Sequence, residues 1–213
     1  MAYKIAVVDM KGKKVDDITL SKNIFDDSVV NESLIHEYIV MYLANKRQSP
    51  AHTKTRGEVK RSWRKLYNQK WSGRARVGDA GSPIRRGGGV AMGPRKERNR
   101  AKDMPTKMKR KALCGALVLK LKENGILSLK SYTAKDIKTK KAASVLKNNS
   151  LENTKTLIVL PEKNELIEKS FRNIPYAWYT TSTLLNTYDV MSYKKLLFVE
   201  NAWEILEGRL SKK

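Results

Sequence analysis

Thr156-Leu157-Ile158-Val159-Leu160 is a nearly continuous apolar run. A strand buried on both faces of a parallel sheet reads this way, because neither face meets water. Helical patterns flank it, Lys138 to Asn148 upstream and Asn164 to Phe171 downstream. Further on come strand patterns at Ala177 to Thr181 and Lys195 to Val199, then a last helix, Ala202 to Leu210. Toward the N-terminus, Ile126 to Leu129 is a short strand. It follows a long helix, Thr106 to Asn124, whose apolar members are Met108, Ala112, Leu113, Ala116, Leu117 and Leu121, with Gly125 as a stop signal. Asn31 to Arg47 is another helix, with Leu34, Ile35, Tyr38, Ile39, Met41, Tyr42 and Leu43 on a broad apolar face and Asn31 or Ser33 as its cap. Residues 3–9 open the chain as a strand. Asp16-Asp17 and Asp26-Asp27 read as solvated loop acids, with placement at a helix N-terminus as the other reading. Strands alternating with helices define an α/β class: an open, mostly parallel sheet flanked by helices.

One stretch does not fit this alternation. From Gln48 to Pro105 there is no sustained apolar period. Prolines recur at Pro50, Pro83, Pro94 and Pro105, and glycines cluster from Gly73 to Gly89. The sequence therefore predicts a globular domain of residues 1–47 plus 106–213. A long, extended basic internal loop, residues 48–105, is inserted in it. A loop of that length inside a compact domain is normally functional or disordered.

The charge sits in the same place. The chain of 213 residues carries 44 Lys+Arg against 21 Asp+Glu, a net +23. Residues 45–111 hold 22 of the basic residues and four acids, Glu58, Asp79, Glu97 and Asp103, so +18 falls in that window. Such a surplus strains a compact fold by self-repulsion and calls for a polyanion. Nucleic acid fits better than an anionic membrane. No apolar run approaches the roughly 18–20 residues of a spanning helix, and Met1 to Met10 has no signal-peptide pattern. The single cysteine, Cys114, allows no internal disulfide or cysteine cluster, and the expected location is the cytoplasm or the matrix of an organelle.

The loop has the ingredients of RNA grip. Arginines come in close sets: Arg74 with Arg76, Arg85 with Arg86, and Arg95 and Arg98 with Arg100. A planar guanidinium bridges phosphate oxygens bidentately and stacks on bases. This composition predicts a loop that is disordered without RNA and orders on it, since few apolar groups offset the ordering entropy. Gly73, Gly78, Gly87, Gly88, Gly89 and Gly93 let the backbone approach RNA closely, with a flexible linker as the other reading of Gly87 to Gly89. Trp63, Tyr67 and Trp71 are interleaved aromatics that either stack on unpaired bases or pack on the protein itself.

The ingredients of catalysis are missing. A single glycine, Gly12, follows the first strand, and no phosphate-binding glycine motif occurs. His36 reads as a satisfied surface or core histidine and His52 as a loop residue facing RNA or solvent. Two distant histidines make neither an acid–base pair nor a metal site. Cys114, beside Leu113 and Leu117, reads as a buried inert thiol. The expectation is no enzyme, no metal and no cofactor.

The segment Gln69-Lys70-Trp71-Ser72-Gly73-Arg74-Ala75-Arg76, then Gly78, Ser82-Pro83, Arg86-Gly87-Gly88-Gly89-Val90 and Gly93-Pro94-Arg95 resembles the signature loop of large-subunit ribosomal protein four, bacterial type. Three other stretches look like the same family. They are Lys54-Thr55-Arg56-Gly57-Glu58-Val59, Lys109-Arg110-Lys111-Ala112-Leu113, and Leu184 to Val190 running into Lys195 to Val199. The resemblance implies a structural constituent of the large ribosomal subunit that binds its rRNA early in assembly. It implies that the loop tip, here about Lys60 to Gln69, lines the peptide exit tunnel beside ribosomal protein twenty-two, where the nascent peptide passes. Arg61, Ser62, Trp63, Arg64, Lys65 and Tyr67 are the tip residues on this likeness. The RNA-binding set joins the loop cations to the motif cations: Lys54, Arg56, Lys60, Arg61, Arg64, Lys65, Lys70, Arg74, Arg76, Arg85, Arg86, Arg95, Arg98 and Arg100, with Lys109 and Arg110 on the second long helix.

The chain departs from the pattern at the tip. The family's Gly-Ser-Gly-Lys-Lys-Pro-Trp-Arg stands here as Arg61-Ser62-Trp63-Arg64-Lys65-Leu66-Tyr67-Asn68. Its Gly-Thr is Trp71-Ser72, and its Phe after the three glycines is Met92. The competing function is a free RNA-binding translational repressor of its own operon. An enzyme built on the α/β sheet is the third reading.

Overall fold

The computed structural model describes residues 3–22, 24–132 and 137–211. They fall into two compact units. Residues up to Leu43 and from Asp103 onward form one, and Ala44–Lys102 forms the other.

The first unit is built on a six-stranded sheet. Its strands are β1 (Lys4–Val8), β2 (Lys14–Thr19), β3 (Ile126–Leu129), β4 (Thr156–Leu160), β5 (Ala177–Thr181) and β6 (Lys195–Val199), in the spatial order β2-β1-β3-β6-β4-β5. β1 and β2 pair antiparallel, and every other pairing is parallel. All five residues of β4 are buried, the two-sided burial that its apolar run predicts. Successive side chains point to opposite faces. Leu157 and Val159 therefore join one core with Leu196 and Phe198 of β6. Ile158 and Leu160 join the other with Leu197 and Val199.

Helices cover both faces. Ile35 from α1 (Glu32–Lys46), Leu113 and Leu117 from α2 (Thr106–Lys122), Val190 from α5 (Thr187–Ser192) and Leu206 from α6 (Ala202–Ser211) fill the first core. Val145 and Leu146 from α3 (Thr139–Asn148) and Ile167 and Phe171 from α4 (Glu165–Phe171) fill the second. Trp203 of α6 is fully buried, edge-on to Phe198 with ring centroids 4.9 Å apart and 5.3 Å from Phe25.

Local chemistry sets the helix ends. Asn31 is the cap of α1, its side-chain oxygen accepting the Leu34 N–H at 3.0 Å. At the end of α2 the left-handed residue is Asn124 (φ 50), not Gly125. The Asn124 N–H reaches the Leu121 carbonyl at 3.0 Å and the Gly125 N–H the Lys120 carbonyl at 2.8 Å, a Schellman closure.

Two elements were not expected. β2 carries Asp16 and Asp17, which are strand residues and not loop acids. It is an edge strand, largely exposed, so its sequence Lys-Val-Asp-Asp-Ile-Thr lacks an apolar face, and the charges discourage further pairing. The short α5 begins at Asn186, whose side chain accepts the Asp189 N–H at 2.9 Å. Asp26 and Asp27 flank the start of a 3-10 turn, Asp27–Val29. Asp27 accepts from Tyr3 Oη and pairs with Lys122 Nζ, both at 2.6 Å, and these contacts hold its carboxyl below the usual range.

Phe198→Ala removes a ring that the first core cannot replace. It should destabilise the fold by about 3–5 kcal/mol, read as a lower denaturation midpoint by circular dichroism.

Candidate nucleic-acid interface

Ala44–Lys102 contains 18 Lys and Arg against three acids, a net +15. Apart from the end of α1 it has neither helix nor strand. It is nevertheless tied together from base to turn. At the base, the Asn45 side chain donates to the Lys102 carbonyl at 3.0 Å and accepts the Lys102 N–H at 2.8 Å. Arg100 Nε donates to Ser49 Oγ at 2.8 Å. The Thr53 N–H meets the Pro94 carbonyl at 3.0 Å, and the Val90 N–H meets that of Lys54 at 2.9 Å. Farther along, Arg61 pairs with Asp79, the Leu66 N–H reaches the Gly78 carbonyl at 3.0 Å, and Tyr67 Oη donates to the Ala75 carbonyl. Outgoing and returning limbs thus pair in nested order. The turn they enclose is residues 68–74.

The acids are placed where they matter most. Glu58 accepts the Thr55 N–H at 2.8 Å and the guanidinium of Arg95 at 2.9 and 3.1 Å. The Thr55 bond first, and Arg95 second, hold its carboxyl at about 2. Asp79 is lowered chiefly by Arg61 and also accepts the Gly81 N–H at 2.8 Å. The Arg61 side chain is only 4% exposed, with its Nε donating to the Arg56 carbonyl at 2.7 Å. Its guanidinium carbon lies 4.1 Å from the centre of the Trp63 ring.

The cations named from the sequence therefore divide. Lys54, Arg56, Lys60, Arg64, Lys65, Lys70, Arg74, Arg76, Arg85, Arg86 and Arg98 are exposed. Arg61, Arg95 and Arg100 are partly buried and hold the unit together. Lys109 and Arg110 stand on α2 in the other unit, Lys109 paired with Asp103 at 2.9 Å. Of the tip residues, Ser62, Trp63, Arg64 and Lys65 are exposed, while Tyr67 is half-buried.

The glycines divide as well. A Cβ on Gly89 would collide with the backbone of Arg56, one on Gly88 with the Ser82 carbonyl, and one on Gly93 with Thr53. For Gly89 and Gly93 the close approach is between the two limbs of the unit, and for Gly88 it is within the returning limb. Gly73, Gly78 and Gly87 face open space.

Sequence reasoning passed over Glu58 and Asp79 as anchors. Thr55-Arg56-Gly57-Glu58 carries the signal, the Thr-x-x-Glu spacing that lets a side chain reach back to a backbone N–H. Elsewhere, Cys114 is buried and its thiol is pushed up to about 11 by that burial, as expected of an inert thiol. His36 and His52 are both exposed. Among the described residues no three His, Cys, Asp or Glu side chains gather into a metal site, and no helix is long and apolar enough to cross a membrane.

Fold and surface define a mixed α/β protein whose charge is concentrated in one irregular unit. The chain belongs to the ribosomal protein L4/L1 family, which it matches over residues 18–209. It is 40% identical to large ribosomal subunit protein uL4 of Caldicellulosiruptor bescii over 204 residues, 96% of this chain and 97% of that one. The proteins of the same name from Symbiobacterium thermophilum and Acetivibrio thermocellus are each 41% identical over 199 residues, 93% of this chain and 95% of theirs. The family is one of ribosomal proteins, in accord with the likeness carried by the loop motif.

The depressed Glu58 carboxyl fixes a pH dependence. Its contacts support the unit fully above 4.5, its ordinary value, and are lost as the pH falls through about 2. A carboxyl titration followed by carbon NMR should place Glu58 near that lower value. Arg95→Ala should move it upward, and an ordinary titration in the unaltered protein would refute the arrangement.

Proposed function

We propose that this chain is a structural constituent of the large ribosomal subunit and that Ala44–Lys102 grips large-subunit rRNA. Family membership supports the ribosomal setting. The observation that carries the rRNA grip is the uncompensated charge. With 18 cations in the unit, Glu58 and Asp79 each hold one arginine, and Glu97 is the remaining acid. Phosphates are the natural complement, because each one neutralised by Lys or Arg releases condensed counterions. Exposed Arg74, Arg76, Arg85, Arg86 and Arg98 take the bidentate contacts, and the lysines add point charge. Arg61, Arg95 and Arg100 act mainly by shaping the unit that presents them.

The finer reading follows the same likeness. The chain binds early in assembly, in the cytoplasm, and the tip of the basic unit, about Lys60 to Gln69, lines the peptide exit tunnel beside protein twenty-two. Trp63, in that tip, and Trp71, just past it, stand where the family pattern carries glycine and add bulk there. The chain contributes structure to the ribosome, without a reaction of its own.

Two measurements test this. In a sucrose gradient of cell lysate the protein should migrate with large subunits and leave them after RNase. Migration as free protein, or in a light RNA complex, would instead favour a free regulator. For the purified protein on large-subunit rRNA, Arg74→Ala and Arg76→Ala should each lower the slope of log affinity against log salt by about one. An unchanged slope would remove these arginines from the phosphate contacts.

A further inference from the structure

Three aromatic rings stand in the basic unit, and two of them are already engaged. Tyr67 is half-buried and its hydroxyl donates to the Ala75 carbonyl. Trp63 carries the Arg61 guanidinium over its ring at 4.1 Å. Trp71 is different. It is 100% exposed, and no ring or cation contact holds it among the described residues. It lies within residues 68–74, the turn enclosed by the innermost pairing of the ladder.

Its backbone is also unusual. Trp71 has φ 71, in the left-handed region that a bulky L residue rarely adopts. A glycine is relaxed there, and the family pattern places one at this position. The chain instead combines an unfavourable backbone with a fully wetted indole. No ring or cation contact among the described residues offsets either cost, which leaves the indole face free for a ligand.

The surroundings indicate which ligand. Lys70, Arg74 and Arg76 lie within five residues of Trp71 in the chain and are all exposed. An apolar protein surface would leave these charges without partners. An RNA strand satisfies both features at once, with phosphates for the cations and a base plane for the ring. Met92, at φ 53 and equally exposed, shares the strained backbone but offers no aromatic face.

We infer that Trp71 is a base-stacking residue, which takes an unpaired nucleobase of the bound RNA onto its indole face while Lys70 and Arg74 hold the adjoining phosphates. The inference rests on the RNA-binding reading above and deepens it, naming one side chain and the chemical class that it takes.

The test uses the full-length protein and in vitro transcribed large-subunit rRNA, with affinity measured across a salt series. Trp71→Gly removes the ring and relaxes the backbone, so it should melt no lower than the unaltered protein. It should nonetheless lose affinity by roughly ten-fold or more, the scale of one lost base stack. The salt slope should stay the same, because no phosphate contact is removed. Trp71→Phe keeps a flat ring and should retain most of the affinity. Unchanged binding by Trp71→Gly would overturn the inference. So would a Trp71→Phe loss as deep as the glycine variant's, a reduced salt slope, or a marked fall in melting temperature for Trp71→Gly. If the unaltered protein itself does not bind the rRNA, the RNA reading falls and takes this inference with it. If it binds and only the tryptophan proves indifferent, the RNA reading stands alone.

Discussion

Like charges confined to one stretch of chain repel, and Ala44–Lys102 has 18 cations to keep apart with three acids. The arrangement of that unit follows from how two of those acids are used. Glu58 and Asp79 are not spread along the surface as general counterions. Each ties one limb to the other, through Arg95 and Arg61. The burial of the Arg61 side chain requires such a partner, since a buried guanidinium without a carboxylate is strongly destabilising. Once the limbs are tied, Gly89 lets backbone pass close to backbone and Gly93 makes room for the Thr53 side chain. The cations left over then lie on the outside. The unit holds itself together with a minimum of neutralisation and leaves most of its charge for something else.

The α/β body meets the opposite problem and solves it with apolar burial. Its central strands, β4 and β6, are buried on both faces, and the four-residue β3 beside them is nearly so. Stability there comes from area removed from water, which needs no partner. Its own ion pairs, such as Lys169–Glu165 and Lys14–Asp17, are solvent-exposed and contribute little. One chain thus carries a part that is complete in itself and a part whose surface charge is left open.

The sequence disclosed most of the first part, for a physical reason. Strands buried on both faces and amphipathic helices leave strong apolar patterns, and the runs at Thr156 to Leu160 and Lys195 to Val199 were plain. β2 was hidden because an exposed edge strand has no apolar face to betray it. α5 was hidden because six residues are too few for a period to show. In the basic unit, composition revealed the charge but not its internal order. Pairings such as Thr53 with Pro94 or Leu66 with Gly78 are backbone contacts between distant residues, and side-chain type says little about them. For the same reason Arg61 and Arg74 look alike in the sequence, although one is buried against Asp79 and the other is exposed.

Backbone strain separates the two units as sharply as charge does. In the α/β body, positive φ at Asn124 and Ser150 falls just past helix ends, where the next residues close the last turn by hydrogen bonds. Asn accepts that conformation comparatively well, and the closure returns what it costs. In the basic unit the corresponding residues are Trp71 and Met92, bulky, apolar and fully exposed. A left-handed L residue costs about 1–2 kcal/mol, and wetting a large apolar side chain forgoes the stabilisation that burial would give. Local rules are broken in this way mainly where another requirement overrides them. At Asn124 and Ser150 the strain is explained by the body itself. On the proposed RNA reading, the strain in the basic unit and its open charge share one complement, a polyanion with stackable faces.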